Sequence, residues 1–376
     1  MDPTRERKGK MEPYKRKIIA VVVALVFVVA GFSIFYSLEN RAPKEKTIVV
    51  YTYSSFMADG LNKTAAYNIV FGTFEKEYHV NIVVEYPKNG LLSTLESQKS
   101  SPKANIVIGL TNINGVEAAR DGLLVKYSPP DASYINSTLL NEMGCASSYL
   151  TPYEYSYLGI DYNKTGPSGS DFHPTFSDLL NSENVTHLLL ENPITSETGQ
   201  GFLLWEISYY EYVLHENWTR WWNASLPYLG DHVYDSWSSA FTFFESAPAN
   251  YLLLSYLTDP AYNAYFGYGN STGSTVTYHD GNEYGWRTIY SIGIVNGSSY
   301  EGLSEDFVNY FLGGTVQGEI PLNEWMYPAN SSIPLPSVYN VTMRQTNIIP
   351  LNNFINATVI YDNIQNWETE WLDLSS

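Results

Sequence analysis

Apolar positions fall into two regimes along this chain. Residues 18–38 run for 21 positions without a charge and are rich in Val, Ile, Ala and Phe. At 1.5 Å per helical residue they can span a hydrocarbon core of about 30 Å. From residue 47 onward, short apolar runs alternate with amphipathic ones. The runs 47–53, 81–86 and 105–110 read as buried strands, and 65–78 and 91–99 between them as helices. Apolar strands separated by helices argue for a parallel sheet covered on both faces. The run 153–162 is longer and predicts a crossover into a second lobe. There, 187–191 and 251–255 read as strands, and 201–214 and 238–245 as helices. The extended run 289–295 would return the chain to the first lobe, which helical patterns at 304–312 and 352–372 would close. No internal repeat is visible.

This pattern predicts a two-lobed α/β protein behind one N-terminal transmembrane helix. Its parts are a basic tail (1–17), the anchor (18–38), a stalk (39–46), one lobe from 47–152 and 288–376, and a second from 153–287. A single doubly wound enzyme domain is the structural alternative. Seven basic residues in the first 17 place the N-terminus in the cytoplasm and the bulk of the chain outside the cell. A cleaved signal peptide is the other reading, but its apolar region would be unusually long and no small-x-small site precedes Glu39.

Charge and cysteine content narrow the classes. Net charge is −18, and beyond Thr47 there are 11 Lys and Arg against 34 Asp and Glu. Such a surface repels nucleic acid and favours the approach of a cationic solute, or simply keeps the protein soluble. The one cysteine, Cys145, excludes an intramolecular disulfide and reads as a small core residue. Eleven Asn-x-Ser/Thr sequons (Asn62, Asn136, Asn163, Asn184, Asn217, Asn223, Asn270, Asn296, Asn330, Asn340 and Asn356) fit an extracellular glycoprotein, although composition alone supplies some of them. No zinc-protease, dinucleotide, Walker or nucleophile-elbow motif occurs, and the six histidines are not spaced as metal ligands. The expectation is a non-enzyme with neither cofactor nor metal.

Five stretches set aromatic rings or small polar residues at strand ends and helix starts. They are Tyr51-Thr52-Tyr53-Ser54-Ser55, Asn192 to Gly201, Ser236-Trp237-Ser238-Ser239-Ala240-Phe241, Leu254 to Tyr262, and Trp325-Met326-Tyr327-Pro328. In open α/β sheets, ligands bind beyond the carboxyl ends of strands. Each stretch also fits a plainer role: Trp237 as core, Asp259 as a helix cap before Pro260, and Asn89-Gly90 as a turn opening a helix.

Taken in order and spacing, these stretches resemble the thiamine-binding solute receptors of bacterial ABC importers, over roughly residues 47–372. The resemblance implies the type II periplasmic-binding-protein fold and an ABC permease and ATPase as partners. The implied ligand is thiamine or a phosphorylated form. It also implies ring contacts from Trp237, Tyr256, Tyr262 and Trp325, and further contacts from Tyr53, Ser54, Asn89, Gly90, Ser196, Glu197, Thr258 and Asp259. Three positions depart from the family. Ser54 and Asn89 stand where it usually carries Asp, and Glu197 replaces the second residue of a Ser-Thr pair. A receptor of the same fold for iron, a polyamine or a sugar phosphate, and a non-transport surface glycoprotein, are the competing readings.

Overall fold

The computed structural model describes residues 46–268 and 270–376. The expected anchor, its basic flank and all but the last residue of the stalk lie outside the described residues. Among the described residues no helix is long and apolar enough to cross a membrane.

Strand β1 (Lys46–Tyr51) leads through α1 (residues 63–78) to β2 (Val80–Glu85), then through α2 (Leu91–Ser97) to β3 (Ile106–Thr111) and α3 (Asn114–Arg120). The 14-residue β4 (Leu150–Asn163) follows. Next come β5 (Leu188–Glu191), α4 (Glu197–Ser208), α5 (Thr219–Leu229), β6 (Val233–Tyr234), α6 (Trp237–Ser246), β7 (Leu252–Tyr256), α7 (Asp259–Tyr265) and β8 (Thr272–Thr275). The chain ends with β9 (Arg287–Ile294), α8 (Glu301–Leu312), β10 (Tyr327–Pro328) and α9 (Ala357–Ser375). One sheet runs through both lobes in the order β2-β1-β3-β9-β4-β7-β5-β6.

Two strands make this a two-lobed molecule. The first half of β4 pairs with β9, and its second half pairs with β7 and β8. Tyr153 therefore belongs to the apolar core built on β1, β3 and α8, whereas Leu158 and Ile160 belong to the core built on α4, α5 and β7. A strand of about 45 Å at 3.3 Å per residue is long enough to serve two cores. The expected crossovers 153–162 and 289–295 are β4 and β9. The sheet is mixed, not purely parallel: β1 pairs parallel with β3 and β5 parallel with β7, but both crossover strands run antiparallel to their neighbours. They enter each lobe from the other one, which reverses their direction.

The C-terminal helix differs from the expectation that it closes the first lobe. Ile360, Ile364 and Trp371 pack in the second core, with the Trp371 ring 5.7 Å from Trp222. Its outer side meets α3 through Arg120, which bonds Thr358 and Asp362 and lies over the Tyr361 ring. α9 thus spans both lobes. Cys145 is exposed, in a 3-10 turn where Ala146 is the buried residue.

Candidate functional site

Most of the polar and aromatic side chains singled out in the sequence converge where β4 and β9 pass between the lobes. The turn after β1 delivers Tyr53. Its ring lies against Gly109 of β3, where an added Cβ would stand 2.6 Å from Tyr53 Cδ1 and where φ is +115°, so glycine makes this seat possible. The Tyr53 hydroxyl is 3.0 Å from Glu154 Oε1 on β4, 2.8 Å from Glu324 Oε2 and 3.1 Å from the Tyr153 hydroxyl. Glu324 also accepts the Met57 N–H and so clamps the turn.

The second lobe contributes the starts of α4, α6 and α7. Ser236 caps α6 by accepting the Ser239 N–H, which sets Trp237 at the first helical position. Trp237 stacks on Phe241 at 4.8 Å and lies 6.3 Å from Tyr256. Its Nε1–H donates to Ser255 Oγ at 2.7 Å, and Ser255 in turn donates to Asp259. Phe241 meets Tyr262 edge-on at 6.0 Å, and Tyr262 meets Trp325 at 5.4 Å and 88°. The result is a continuous aromatic run, Trp237–Phe241–Tyr262–Trp325, reaching from α6 to the segment before β10. Tyr256 extends it on the other side: its hydroxyl is 2.9 Å from that of Tyr290 on β9, whose ring is 5.8 Å from Tyr53.

Carboxyl groups lie beneath these rings. Glu197, in the first turn of α4, accepts from Asn114 Nδ2 of α3 at 3.5 Å and so spans the two lobes. Burial raises its pKa to about 7, partly offset by hydrogen bonds from Asn114 and Tyr290. Burial likewise lifts Glu191 to about 8. Asp161 and Asp259 form a buried pair held above the ordinary carboxylate range by burial, Asp161 further by its neighbour's charge. Glu154 and Glu324 are raised by burial, and Glu324 further by Glu154. Among the described residues, none of these six is ion-paired to a Lys, Arg or His. The cation that does reach the junction, Arg287, is engaged by Glu142 at 2.6 Å and by Tyr157.

Other expected site residues are covered by their neighbours or lie to the side. Thr258 is fully buried, with its hydroxyl 3.4 Å from Ser156, so it supports the site from behind. Trp325 is 4% exposed, covered by Tyr262, Tyr265 and Phe266, and its Nε1–H donates to Asp59 O. Ser54 is exposed on the turn, and the Ser196 hydroxyl contacts Thr198 at the mouth of α4. Asn89 and Gly90 lie on an exposed turn before α2. Asn89 lines an open cavity of about 260 Å³ with Tyr51, Lys88, Gln98 and Lys103. Of the sequons, Asn330 is 5% exposed, donates to Leu312 O and accepts from Ser332, which leaves a glycan no room. Sequence reasoning missed Tyr290, Phe241, Glu154, Glu324 and Asn114. A charged residue inside the aromatic run Tyr153-Glu154-Tyr155 was the available signal for Glu154.

No family model matches the chain. Its relatives include the thiamine-binding periplasmic protein of Brucella melitensis, 25% identical over 366 residues, which covers 96% of this chain and 99% of the relative. Among solved structures, a periplasmic thiamin binding protein superposes with a TM-score of 0.72 at 22% identity, over 88% of this chain and 97% of its own. The fold is that of a type II periplasmic binding protein. A ferric binding protein from Campylobacter jejuni shares it, with a TM-score of 0.68 at 16% identity over 87% of this chain and 99% of its own. Architecture alone therefore leaves the cargo open, and the chemistry at the lobe junction has to decide it.

Proposed function

We propose that this chain is the solute receptor of an ABC importer and that its cargo is thiamine. The observation that carries this reading is the pairing of a continuous aromatic run with carboxyl groups that have no basic partner. A permanently charged thiazolium is held by π faces, and the contact strengthens from about 0.5–1 kcal/mol when exposed to about 2 kcal/mol when desolvated. Trp237, Phe241, Tyr256 and Tyr262 would supply those faces, with Trp325 bracing Tyr262. Asp259, held by Ser255 beneath Trp237, and Glu197 stand ready for the aminopyrimidine or hydroxyl donors. The Brucella melitensis and solved-structure relatives, both described as thiamine-binding, support the same cargo. Closure of two lobes about β4 and β9 would bury the cation.

The apolar run 18–38 would tether the receptor, with its basic flank in the cytoplasm and the lobes outside the cell beside the permease, as in an archaeal surface glycoprotein. The test is a thermal-shift and calorimetric screen of residues 47–376 against thiamine, its phosphates, polyamines, sugar phosphates and ferric ion. Thiamine at 100 times its dissociation constant should add about 2.7 kcal/mol of stability. Stabilisation by another cargo and not by thiamine would overturn the reading.

A further inference from the structure

The proton count at Tyr53 does not close with both neighbouring carboxylates ionised. A phenol has one hydrogen to donate. Its oxygen nevertheless lies within hydrogen-bond distance of Glu154 Oε1 at 3.0 Å and Glu324 Oε2 at 2.8 Å. If Tyr53 donates to one, the other contact holds a hydrogen only when that carboxyl is itself protonated and donates back to the phenol. Tyr153 can donate to Glu154 or to Tyr53, but it cannot supply the Glu324 contact. Glu154 is 1% exposed and its Oε2 has no partner.

Among the described residues no basic group is ion-paired with Glu154 or Glu324, and Arg287 at the junction is engaged by Glu142 and Tyr157. The titratable groups facing the pair are Asp59 on the β1 turn, Tyr67 of α1, Tyr153 on β4, Tyr256 on β7, Tyr290 on β9 and Tyr339. All are acids, and Lys63 acts on Asp59 rather than on the pair. The pair is joined to the aromatic run through Tyr53, Tyr290 and Tyr256.

We propose that Glu154 and Glu324 share one proton across the Tyr53 hydroxyl and release it to solvent when a cationic ligand seats at the lobe junction, making this pair the ligand's counter-charge. The inference rests on the cation-receptor reading above. Before binding, the pair carries one negative charge and one proton. After binding it carries two negative charges, the Tyr53 hydroxyl donates to one carboxylate and its contact to the other opens, the ligand's positive charge offsets the added one, and the proton goes to the buffer. Linkage fixes the sign: a site that releases a proton on binding gains affinity as pH rises, by up to about tenfold per pH unit for one proton.

Calorimetry of thiamine binding near about pH 7, in buffers of different ionisation enthalpy, counts the protons released. Thiamine's own aminopyrimidine is neutral there. The expected result is that release falls by about one proton per ligand in folded Glu154→Gln and in folded Glu324→Gln, whereas Glu197→Gln, which removes only that residue's own partial proton, keeps the pair's share; this separates the pair from the other carboxyl close to Tyr290. Affinity of the two pair variants should fall several-fold below wild type at about pH 8, with the gap closing towards about pH 6. Thiamine binding without proton release overturns this inference and leaves the receptor reading standing. So does release that is undiminished in both pair variants. Loss of release in Glu197→Gln alone assigns the proton to Glu197 and also overturns it. No thiamine binding at any pH removes the reading and the inference together.

Discussion

Carboxyls raised by burial bind protons in the folded chain at a pH where the unfolded chain has lost them. Folding stability should therefore increase on mild acidification. For Glu191, Glu197 and Glu142 the folded values are about 8, about 7 and about 7, against a reference of 4.5. Their folded values lie above the unfolded one, so their contribution is greatest below the unfolded value and is lost as pH rises through the folded ones. Integrating from pH 8 to pH 6 gives roughly 5 kcal/mol for the three together. Screening and local relaxation reduce this to about 2–3 kcal/mol. For a unit of this size that is about 3–4 °C in Tm. Urea unfolding of residues 47–376 at the two pH values, followed by tryptophan fluorescence, measures it directly. The net charge of residues 47–376, −23 from 11 Lys and Arg against 34 Asp and Glu, pushes the same way by general repulsion, so Glu191→Gln is the discriminating variant. It changes overall charge slightly but should remove about a third to a half of these three groups' share of the gain. A midpoint that is flat or falls between pH 8 and pH 6, or a gain unchanged by Glu191→Gln, would refute the reasoning.

Other outcomes follow from the same geometry. Trp237→Ala should weaken thiamine binding by about 1–3 kcal/mol through lost ring burial and cation–π contact, whereas Phe should keep much of the affinity; a folded Ala variant that binds normally puts Trp237 outside the site. Glu197 should bias the receptor towards unphosphorylated thiamine by about 1–2 kcal/mol above about pH 7, where it is ionised, because its charge opposes a phosphate at the mouth of α4. Acid, or Glu197→Thr, should narrow that bias, and equal relative affinities by calorimetry in both forms would remove Glu197 from the site. Mass spectrometry of protein from its native host should find Asn330 without glycan; an occupied Asn330 would mean modification before folding.

The fold was legible because its determinants are local. Strand and helix runs from 47 to 110, and the crossovers at β4 and β9, carry their own periodicity. The three-stranded sheet of Thr277–His279, Asn282–Gly285 and Ile348–Pro350 did not announce itself, because three- and four-residue strands have too little period to read. The site divides the same way. Trp237, Tyr256, Tyr262 and Trp325 lie in short aromatic motifs, and the structure links them through ring contacts. What bridges them is not local: Tyr290 reaches Tyr256 and Tyr53 only because β9 returns between the lobes, and Glu324 reaches Tyr53 across 271 residues. The burial of Asn330 and the exposure of Cys145 escaped the sequence for a related reason. A sequon or a small residue says nothing of exposure until the chain around it has packed.

The acid at the junction differs in kind from the acid on the surface. Surface carboxylates cost little and steer cations by a long-range field that salt screens within about 8–10 Å. Glu154, Asp161 and Glu191 are at most 1% exposed, with oxygens that lack protein partners. Burying such groups without a base is unfavourable by several kcal/mol each if they remain charged, and leaves raised pKa values if they do not. A chain gains no stability from that arrangement, which apolar residues of similar volume would improve. At Glu154, whose Oε1 meets the Tyr53 hydroxyl beside the aromatic run, the proposed receptor reading gives this arrangement a use: it stores a demand for positive charge that a bound cation would meet. That demand also separates cargoes: a neutral sugar leaves it unmet, and an anion opposes it. A compact organic cation with flat rings satisfies both the carboxyls and the π faces at once.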